Sequence, residues 1–334
     1  MNVYFTVDTE SSMGGAWEFP ERLPVPADRH VFCRTHGAEY GIPLITKILS
    51  EYGMRATHFV EALAALCLGA GDTLSIVDYL LSHGQDVQLH LHPVYWFYAK
   101  TTAAMRGPAP CDMIGQLSPE VQSEMLGTAV DLFQKYAGFR PIAFRAGNWA
   151  GSRSLMRTLS DMDIKIDSSF NPACHPEVSF PDLALKVNQI QQVNGILEIP
   201  ITVARSRLPE GYHGFKLADC TSLSFAELRK MLNDAAAAGQ QHFVMVFHSF
   251  SAVKARDIAY RQIRPNRIVI RRLQRTIRYL AENTDRFRVR TFKEIAAEKT
   301  LKPHELSVAA MPELPLVRGG VRKFIQAVNN FYWV

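Results

Sequence analysis

Two carboxylates stand one residue apart near the start of the chain, where the apolar stretch 3–7 runs into Asp8 and Glu10. Side chains two residues apart on an extended strand share a face, so these two acids would lie close together. Two neighbouring anions repel each other unless a cation, a proton or a basic partner compensates their charge. A solvated strand end is the simpler explanation, unless the rest of the chain supplies a positive partner.

A second pair with the same spacing is formed by His90 and His92 in the stretch QLHLHP. Two imidazoles and a carboxylate are a familiar ligand set for a divalent metal, and they leave coordination positions open for water and substrate. A metal ion held near these residues would also offset the repulsion between the two acids. We therefore predict a divalent metal ion as cofactor, with zinc favoured over cobalt or nickel.

Three further polar residues follow apolar stretches. Arg145 lies in AFRAGNW, Asp167 in KIDSSF and His248 in MVFHSF. Each also has a structural explanation, as a surface arginine, a helix-capping aspartate or a buried core histidine. What they share with the first two pairs is their place at the ends of candidate strands.

Short apolar segments alternate with helical patterns along the chain, which is typical of parallel β/α units. Candidate strands cover 3–7, 56–61, 86–91, 141–146, 164–168, 196–200, 242–248 and 287–291, and candidate helices cover 40–52, 61–83, 118–136, 152–162, 224–238 and 266–283. Several strands are apolar almost throughout, as expected when helices cover both faces of a sheet. Because functional groups of such barrels sit at the carboxyl ends of the strands, the polar residues above would converge there.

These patterns predict an α/β fold, a distorted (β/α)7-type barrel. The main domain would span 1–298, with long loops at 93–117 and 171–223, and a C-terminal tail would span 299–334. The tail ends in an amphipathic segment that would pack on the domain or contact a membrane or a partner.

The order of these motifs resembles that of the polysaccharide deacetylase family, also called the NodB-homology or carbohydrate esterase family 4 fold. TVDTE is similar to the family's T-F-D-D, ATHFVE to its A-T-F-F-V strand, and GQDVQLHLHP to its G-H-E-I-G-x-H stretch. The resemblance covers roughly residues 2–295. It implies a metal-dependent removal of an acetyl group from a carbohydrate.

The resemblance also implies a role for each matched residue. Asp8 would be the catalytic base, held by Arg145, and His248 the general acid, held by Asp167. Glu10 takes the place of the family's metal-binding second aspartate, and His90 that of its first metal histidine. The position of the family's second histidine is Val94 here, so the second histidine ligand is assigned to His92, and Trp149 would line the substrate groove.

The overall composition bounds the partners and the location of the protein. The chain has 334 residues, a formal net charge of +5 and five scattered cysteines without C-x-x-C spacing. Scattered cysteines argue against a disulfide framework, and no secretory signal pattern or membrane-spanning run is present. We therefore expect a cytoplasmic protein, peripheral to the inner membrane if its basic helix or its C-terminal tail binds lipid.

The basic helix lies within 254–280, where arginines are concentrated. A solvated barrel helix is the simplest interpretation, and an anionic membrane surface or a diphosphate-bearing substrate are the functional ones. Nucleic acid is not expected as a partner, because no recognition motif or interleaved aromatic residues accompany the charge.

The leading hypothesis is a metal-dependent carbohydrate N-deacetylase that acts on a precursor of a surface polysaccharide or lipopolysaccharide. Two alternatives stay open at this point. The same fold could hydrolyse another amide or a glycosidic bond, or the chain could be a non-catalytic carbohydrate-binding relative. The sequence leaves the oligomeric state undetermined.

Overall fold

A computed structural model of the protein describes residues 1–35, 37–208, 214–298 and 311–331. The strands are β1 (Asn2–Thr9), β2 (Arg34–Thr35), β3 (Ala38–Glu39), β4 (Thr57–Glu61), β5 (Asp86–Leu91), β6 (Ala143–Ala146), β7 (Ile166–Asp167), β8 (Gln191–Val193), β9 (Ile196–Glu198), β10 (Val203–Ser206), β11 (Phe215–Leu217), β12 (His242–His248), β13 (Val253–Ala255), β14 (Ile263–Pro265), β15 (Arg288–Val289) and β16 (Glu313–Leu314). The helices are α1 (Ala27–His30), α2 (Ile42–Ser50), α3 (Ala65–Leu68), α4 (Ala70–Ser82), α5 (Pro93–Lys100), α6 (Pro119–Ala137), α7 (Arg153–Asp161), α8 (Phe225–Ala237), α9 (Arg267–Ala281), α10 (Phe292–Ala297) and α11 (Leu316–Phe331).

The central sheet runs in the order β12-β1-β4-β5-β6-β7-β9-β8. Every pairing from β12 to β9 is parallel, and β8 joins β9 antiparallel. Beyond β9 the chain crosses to the other end of the sheet, where the Thr202 N–H donates to the Val244 carbonyl at 3.2 Å. This bond closes the curled sheet without a regular strand, and the predicted distorted (β/α)7-type barrel is confirmed.

Alternation along β1 separates the two faces of the sheet. Val3, Phe5 and Val7 pack outward with residues of the surrounding helices. Tyr4 packs inward against Phe59 and its neighbours. Asp8 follows the inward set by two-residue periodicity, so the apolar interior of the barrel ends in a carboxylate.

Three expected segments differ from the structure, one helix and two loops. The helix expected over 61–83 begins at Ala65 and is divided at Gly69, whose φ of +87° no right-handed helix accommodates. The two expected long loops are also partly ordered, with α5 in 93–117 and β8–β11 in 171–223. The predicted start of the helix near 118 is confirmed, since the Ser118 side chain accepts from the Val121 N–H.

The predicted C-terminal tail is described over 311–331, whereas 299–310 and 332–334 lie outside the described residues. Within it, β16 pairs in parallel with β10, and α11 is tied to α8 by an ion pair of Arg322 with Glu227 at 3.2 Å. Both side chains of this pair are almost fully buried. Among the described helices, none is both long and apolar enough to cross a bilayer.

Candidate metal and catalytic site

The register of the parallel strands brings the predicted polar residues to one end of the barrel. Asp8 on β1 lies directly beside His248 on β12. The strands β4, β5 and β6 follow on the other side of β1. There, Glu61 on β4 lies beside His90 on β5, and His90 lies beside Arg145 on β6. Because all five strands run in the same direction, their carboxyl ends form one rim, and the side chains converge above the barrel interior.

A buried ion pair joins opposite parts of that rim. The Arg145 Nη1 donates to Asp8 Oδ1 at 2.6 Å, and both side chains are at most 3% exposed. The other two guanidinium nitrogens donate to Ser168, Nε to its carbonyl at 3.0 Å and Nη2 to its hydroxyl at 3.1 Å. The guanidinium also lies over the Phe59 ring, 4.1 Å from the centroid. Each of the three guanidinium nitrogens thus has a hydrogen-bond partner, and one of these bonds holds Asp8 in place.

The other oxygen of Asp8 lies toward the histidine of β12. The distance from Asp8 Oδ2 to His248 Nε2 is 3.8 Å, and the His248 side chain is 33% exposed. An imidazole beside a carboxylate, with one side open to solvent, can exchange a proton with a bound molecule.

Glu10, His90 and His92 form a second cluster, whose potential ligand atoms all lie within 4.8 Å of one another. Glu10 Oε2 is 3.2 Å from His90 Nε2 and 2.9 Å from His92 Nε2. The opposite ring nitrogens are already used: His90 Nδ1 bonds the Arg145 carbonyl at 2.8 Å and His92 Nδ1 bonds Asp112 Oδ2 at 2.7 Å. Since each Nδ1 must donate to an oxygen, each Nε2 is left to face Glu10.

This donor set fits a divalent metal ion. Two imidazole nitrogens and one carboxylate oxygen are ligands that zinc and its neighbours accept, and carboxylate and carbonyl partners on Nδ1 are the usual support for metal-bound histidines. Although burial opposes charge, His92 and His90 hold the pKa of Glu10 well below its usual value. Burial likewise opposes protonation of His92, but Glu10 and Asp112 raise its pKa well above the ordinary value. The cluster thus already attracts positive charge.

His92 is positioned by residues that the sequence did not reveal as functional. Asp112 accepts from His92 Nδ1 and, at 2.8 Å, from the Val94 N–H. Buried Glu61 accepts from the backbone N–H of His92, and burial raises the pKa of Glu61 to about 7. Asp112 lies in a segment expected to be a loop, so no pattern marked it. Glu61 ends a predicted strand, as Asp8 does, and that signal was available.

Gly147, just after β6, fixes the remaining face of His92. A Cβ at this position would lie 2.6 Å from three atoms of the His92 ring, closer than real Cβ contacts come. The next two residues, Asn148 and Trp149, both have left-handed backbones, with φ of 55° and 62°. The Asn148 amide donates to Asp112 at 3.0 Å, so this strained turn and the support of His92 are one unit.

A cleft of about 730 Å³ opens beside Glu10 and His92. Its wall includes the aromatic side chains Trp17, Phe250 and Tyr260. Trp149 is not among the described residues that line it; its ring is half-buried and lies 5.6 Å from the Arg145 guanidinium. A substrate contact of Trp149 therefore stays a prediction.

His30 is a further cleft residue that the sequence did not mark. Its ring lies between Phe250 and Tyr260, with centroids at 4.2 and 4.4 Å. Its Nδ1 bonds the Glu10 carbonyl at 2.7 Å, and burial lowers the pKa of His30 to about 4. The imidazole is therefore neutral at pH 7, with Nδ1 as the donor to that carbonyl.

The expected support of His248 by Asp167 is wrong. Asp167 hydrogen-bonds the Ser169 hydroxyl at 2.7 Å and shares a hydrogen bond with Glu198, its neighbour on β9. The reason is strand alternation: Ile166 packs into the barrel interior, so Asp167 points to the opposite face. His248 instead has Asp8 and the Phe250 ring as its described neighbours.

The Asp167–Glu198 pair leads to a prediction about stability. Burial, and then the charge of Asp167, raise the pKa of Glu198 well above its usual value. Folded protein therefore keeps a proton that the unfolded chain releases, so this group stabilises the fold at low pH, and that contribution is lost as pH rises toward the folded pKa. In Glu198→Gln an amide can donate to Asp167 without a bound proton. As pH rises above the unfolded pKa, wild type loses this contribution and the variant does not. The free energy of unfolding of Glu198→Gln minus that of wild type should therefore increase by up to about 1.4 kcal/mol per pH unit.

Urea denaturation from pH 5 to pH 9 measures this difference, and Glu177→Gln, at an exposed carboxylate, serves as control. Parallel pH profiles for wild type and Glu198→Gln would show that the pair holds no extra proton.

Comparison with known proteins places the fold. No protein-family model matches the chain, and no curated protein matches it in sequence. Among solved structures, a protein from Mycobacterium smegmatis assigned as a polysaccharide deacetylase superimposes with a TM-score of 0.54 at 16% identity, over 94% of each chain. A CE4 family pseudoenzyme from Bacillus anthracis gives a TM-score of 0.44 at 11% identity, over 94% of this chain and 69% of its own. A family 4 carbohydrate esterase from Streptomyces lividans gives 0.43 at 11% identity, over 86% and 91%. The chain therefore has the fold of the polysaccharide deacetylases, and the resemblance noted in the sequence is confirmed at the level of the fold.

Proposed function

We propose that the protein is a metal-dependent hydrolase that removes the acetyl group from an N-acetylated sugar. The observation that carries this proposal is the placement of a Glu10–His90–His92 cluster beside a buried Asp8–Arg145 pair and a half-exposed His248. Hydrolysis of an amide needs an activated water, a proton acceptor and a proton donor for the departing nitrogen, and this rim offers a candidate for each.

Glu10, His90 and His92 would hold the divalent ion. Bound there, the ion would lower the pKa of a water molecule and polarise the acetyl carbonyl. Zinc suits the two imidazoles and the carboxylate, and cobalt and nickel accept the same ligands.

Asp8 would accept the proton that the attacking water gives up. Arg145 occupies its Oδ1 and leaves Oδ2 on the side of His248. Because Arg145 cannot lose its own proton, it is a positioning residue that fixes the carboxylate and takes no part in proton transfer.

His248 would donate a proton to the sugar nitrogen as its bond to the acetyl carbon breaks. The products are then acetate and a free amine. Its placement at the end of β12, beside Asp8 and partly open to solvent, supports this role.

The substrate we propose is a precursor of a cell-surface polysaccharide or lipopolysaccharide. The cleft beside Glu10 and His92 has the size of a small-ligand site, and its wall combines aromatic side chains with many polar and charged ones. All five cysteines are unpaired, which suits a reducing compartment and supports a cytoplasmic location.

The first prediction concerns metal content. Purified protein should hold about one divalent ion per chain, because the cluster offers three ligands to a single ion. His90→Ala and His92→Ala should each lose it, whereas His83→Ala, at an exposed histidine on the end of α4, should keep it. Elemental analysis after reloading with zinc gives the stoichiometry, and retention of the metal in both site variants would contradict the ligand assignment.

The second prediction tests the support of His92 without removing a ligand. In Gly147→Ala the new methyl group must push the His92 ring aside, since its Cβ would lie 2.6 Å from the ring. We expect metal affinity to fall about 10- to 100-fold, the usual cost of disturbing ligand support. Competition with a chromophoric chelator measures the affinity. Gly71→Ala is the matched control, because nothing lies within 4 Å of its added Cβ.

The third prediction concerns activity. Metal-loaded protein should release acetate from N-acetylated sugars linked to a nucleotide or to a lipid diphosphate, and chelation should stop the release. Asp8→Asn should keep the metal but lose about two to four orders of magnitude in kcat, because its amide cannot accept the proton. Asp28→Asn, at an exposed carboxylate, is the control. Metal-loaded protein that binds these sugars without releasing acetate would contradict the hydrolase proposal.

A further inference from the structure

The C-terminal helix α11 lies on the domain with its polar side inward. Arg322 is 2% exposed and pairs with Glu227 of α8. Gln326 Nε2 donates to the Thr221 carbonyl at 3.0 Å, and Asn329 bonds the Asn266 side chain at 3.3 Å. These three residues, spaced by four and three, lie along one side of the helix, and each contacts the domain through a polar group.

The apolar side of α11 points away from the domain. Val317, Val321 and Phe324 are 77%, 55% and 71% exposed. They follow one another at the helical spacing of i, i+4 and i+7, so they form a single stripe. A surface helix of a globular protein normally buries such a stripe and exposes its polar side. Here the arrangement is reversed, and the packing of the domain does not explain the apolar residues.

Positive charge surrounds this stripe. The segment 316–331 carries Arg318 and Lys323 at exposed positions and has no acidic residue, whereas the charge of buried Arg322 is compensated by Glu227. The start of α9 adjoins the end of α11 through the Asn266–Asn329 contact, and α9 has no acidic residue either. Its arginines at the exposed positions are Arg267, Arg271, Arg275 and Arg278. The acidic residue nearest to α11 along the chain, Glu313, is 3.1 Å from Arg207, and Glu282 follows the C-terminal end of α9.

We propose that α11 binds the protein to an anionic membrane surface, with Val317, Val321 and Phe324 inserted among the lipids. An apolar helix face bordered by arginine and lysine is the pattern of helices that lie in the interfacial plane of a bilayer. Anionic headgroups would complement the cations of α9 and α11. A second copy of the chain is disfavoured as the partner, because it would bring two basic helices together. Tyr332 and Trp333, which follow in the sequence, belong to types enriched at membrane interfaces.

The helix lies at the end of the barrel that carries the candidate site. Barrel helices run opposite to the strands, so α8 and α9 begin at the rim where the strands end. α11 contacts Glu227 near the start of α8 and Asn266 at the start of α9. Membrane binding itself is independent of the proposed hydrolase activity. If the proposed activity holds, the position of α11 beside the candidate site favours a lipid-linked precursor over a nucleotide-linked one as the substrate.

Co-sedimentation of the full chain with lipid vesicles tests this proposal. We expect the protein to sediment with phosphatidylcholine vesicles that contain phosphatidylglycerol, to do so less with pure phosphatidylcholine, and to be released by salt. Phe324→Glu should lower the partition coefficient about tenfold or more, because a charge replaces the phenylalanine side chain that would insert among the lipids. Met105→Glu is the matched control: Met105 is 70% exposed but lies outside α11. Since both positions are exposed, circular dichroism should show both variants folded.

Three outcomes would overturn the proposal. One is the absence of binding to either kind of vesicle, and another is equal binding by wild type and Phe324→Glu. The third is a dimer in light scattering that Phe324→Glu dissociates without any vesicle binding, which would assign the stripe to a second copy. Vesicle binding does not require turnover, so its result is separate from that of the acetate-release experiment.

Discussion

The buried Asp8–Arg145 pair is the interaction on which the rest of the site depends. A guanidinium removed from water needs hydrogen-bond partners and a compensating charge, and breaking such a pair typically costs about 3–5 kcal/mol. Arg145 meets this demand with Asp8, with Ser168 and with the face of Phe59. Because Asp8 is on β1 and Arg145 on β6, the pair fixes the distance across the barrel interior.

The same residue also organises the candidate metal ligands. The backbone carbonyl of Arg145 bonds His90 Nδ1 and thereby directs His90 Nε2 toward Glu10. On the far side of the cluster, Asp112 and Gly147 do the equivalent for His92. The proposed base and the proposed ligands are therefore held by one connected set of contacts. A change in the turn after β6 should disturb both.

Much of this arrangement could be predicted from residue spacing. Polar residues at the ends of apolar segments were candidates because barrel sites lie at the carboxyl ends of strands. This rule identified Asp8, Glu10, His90, Arg145 and His248. The same rule failed for Asp167. β7 is only two residues long, so the face of the sheet to which Asp167 points depends on the pairing of β7 with β6 and β9. Asp112 and His30 lie outside the predicted strands. Contacts between residues distant in sequence bring them to the site, and no local sequence pattern predicts such contacts.

The C-terminal tail shows a related limit of prediction from sequence. Its sequence is visibly amphipathic, but periodicity does not say which side faces the domain. The buried pair of Arg322 with Glu227 decides that question, and the partner is 95 residues away along the chain.

The most direct test of the account is the position of a bound ion. Crystals grown with zinc, measured on both sides of its absorption edge, should show one anomalous peak between Glu10 Oε2 and the Nε2 atoms of His90 and His92, with Asp8 and His248 adjoining it. A peak at other residues, or no peak with these three side chains ordered, would contradict the proposed site.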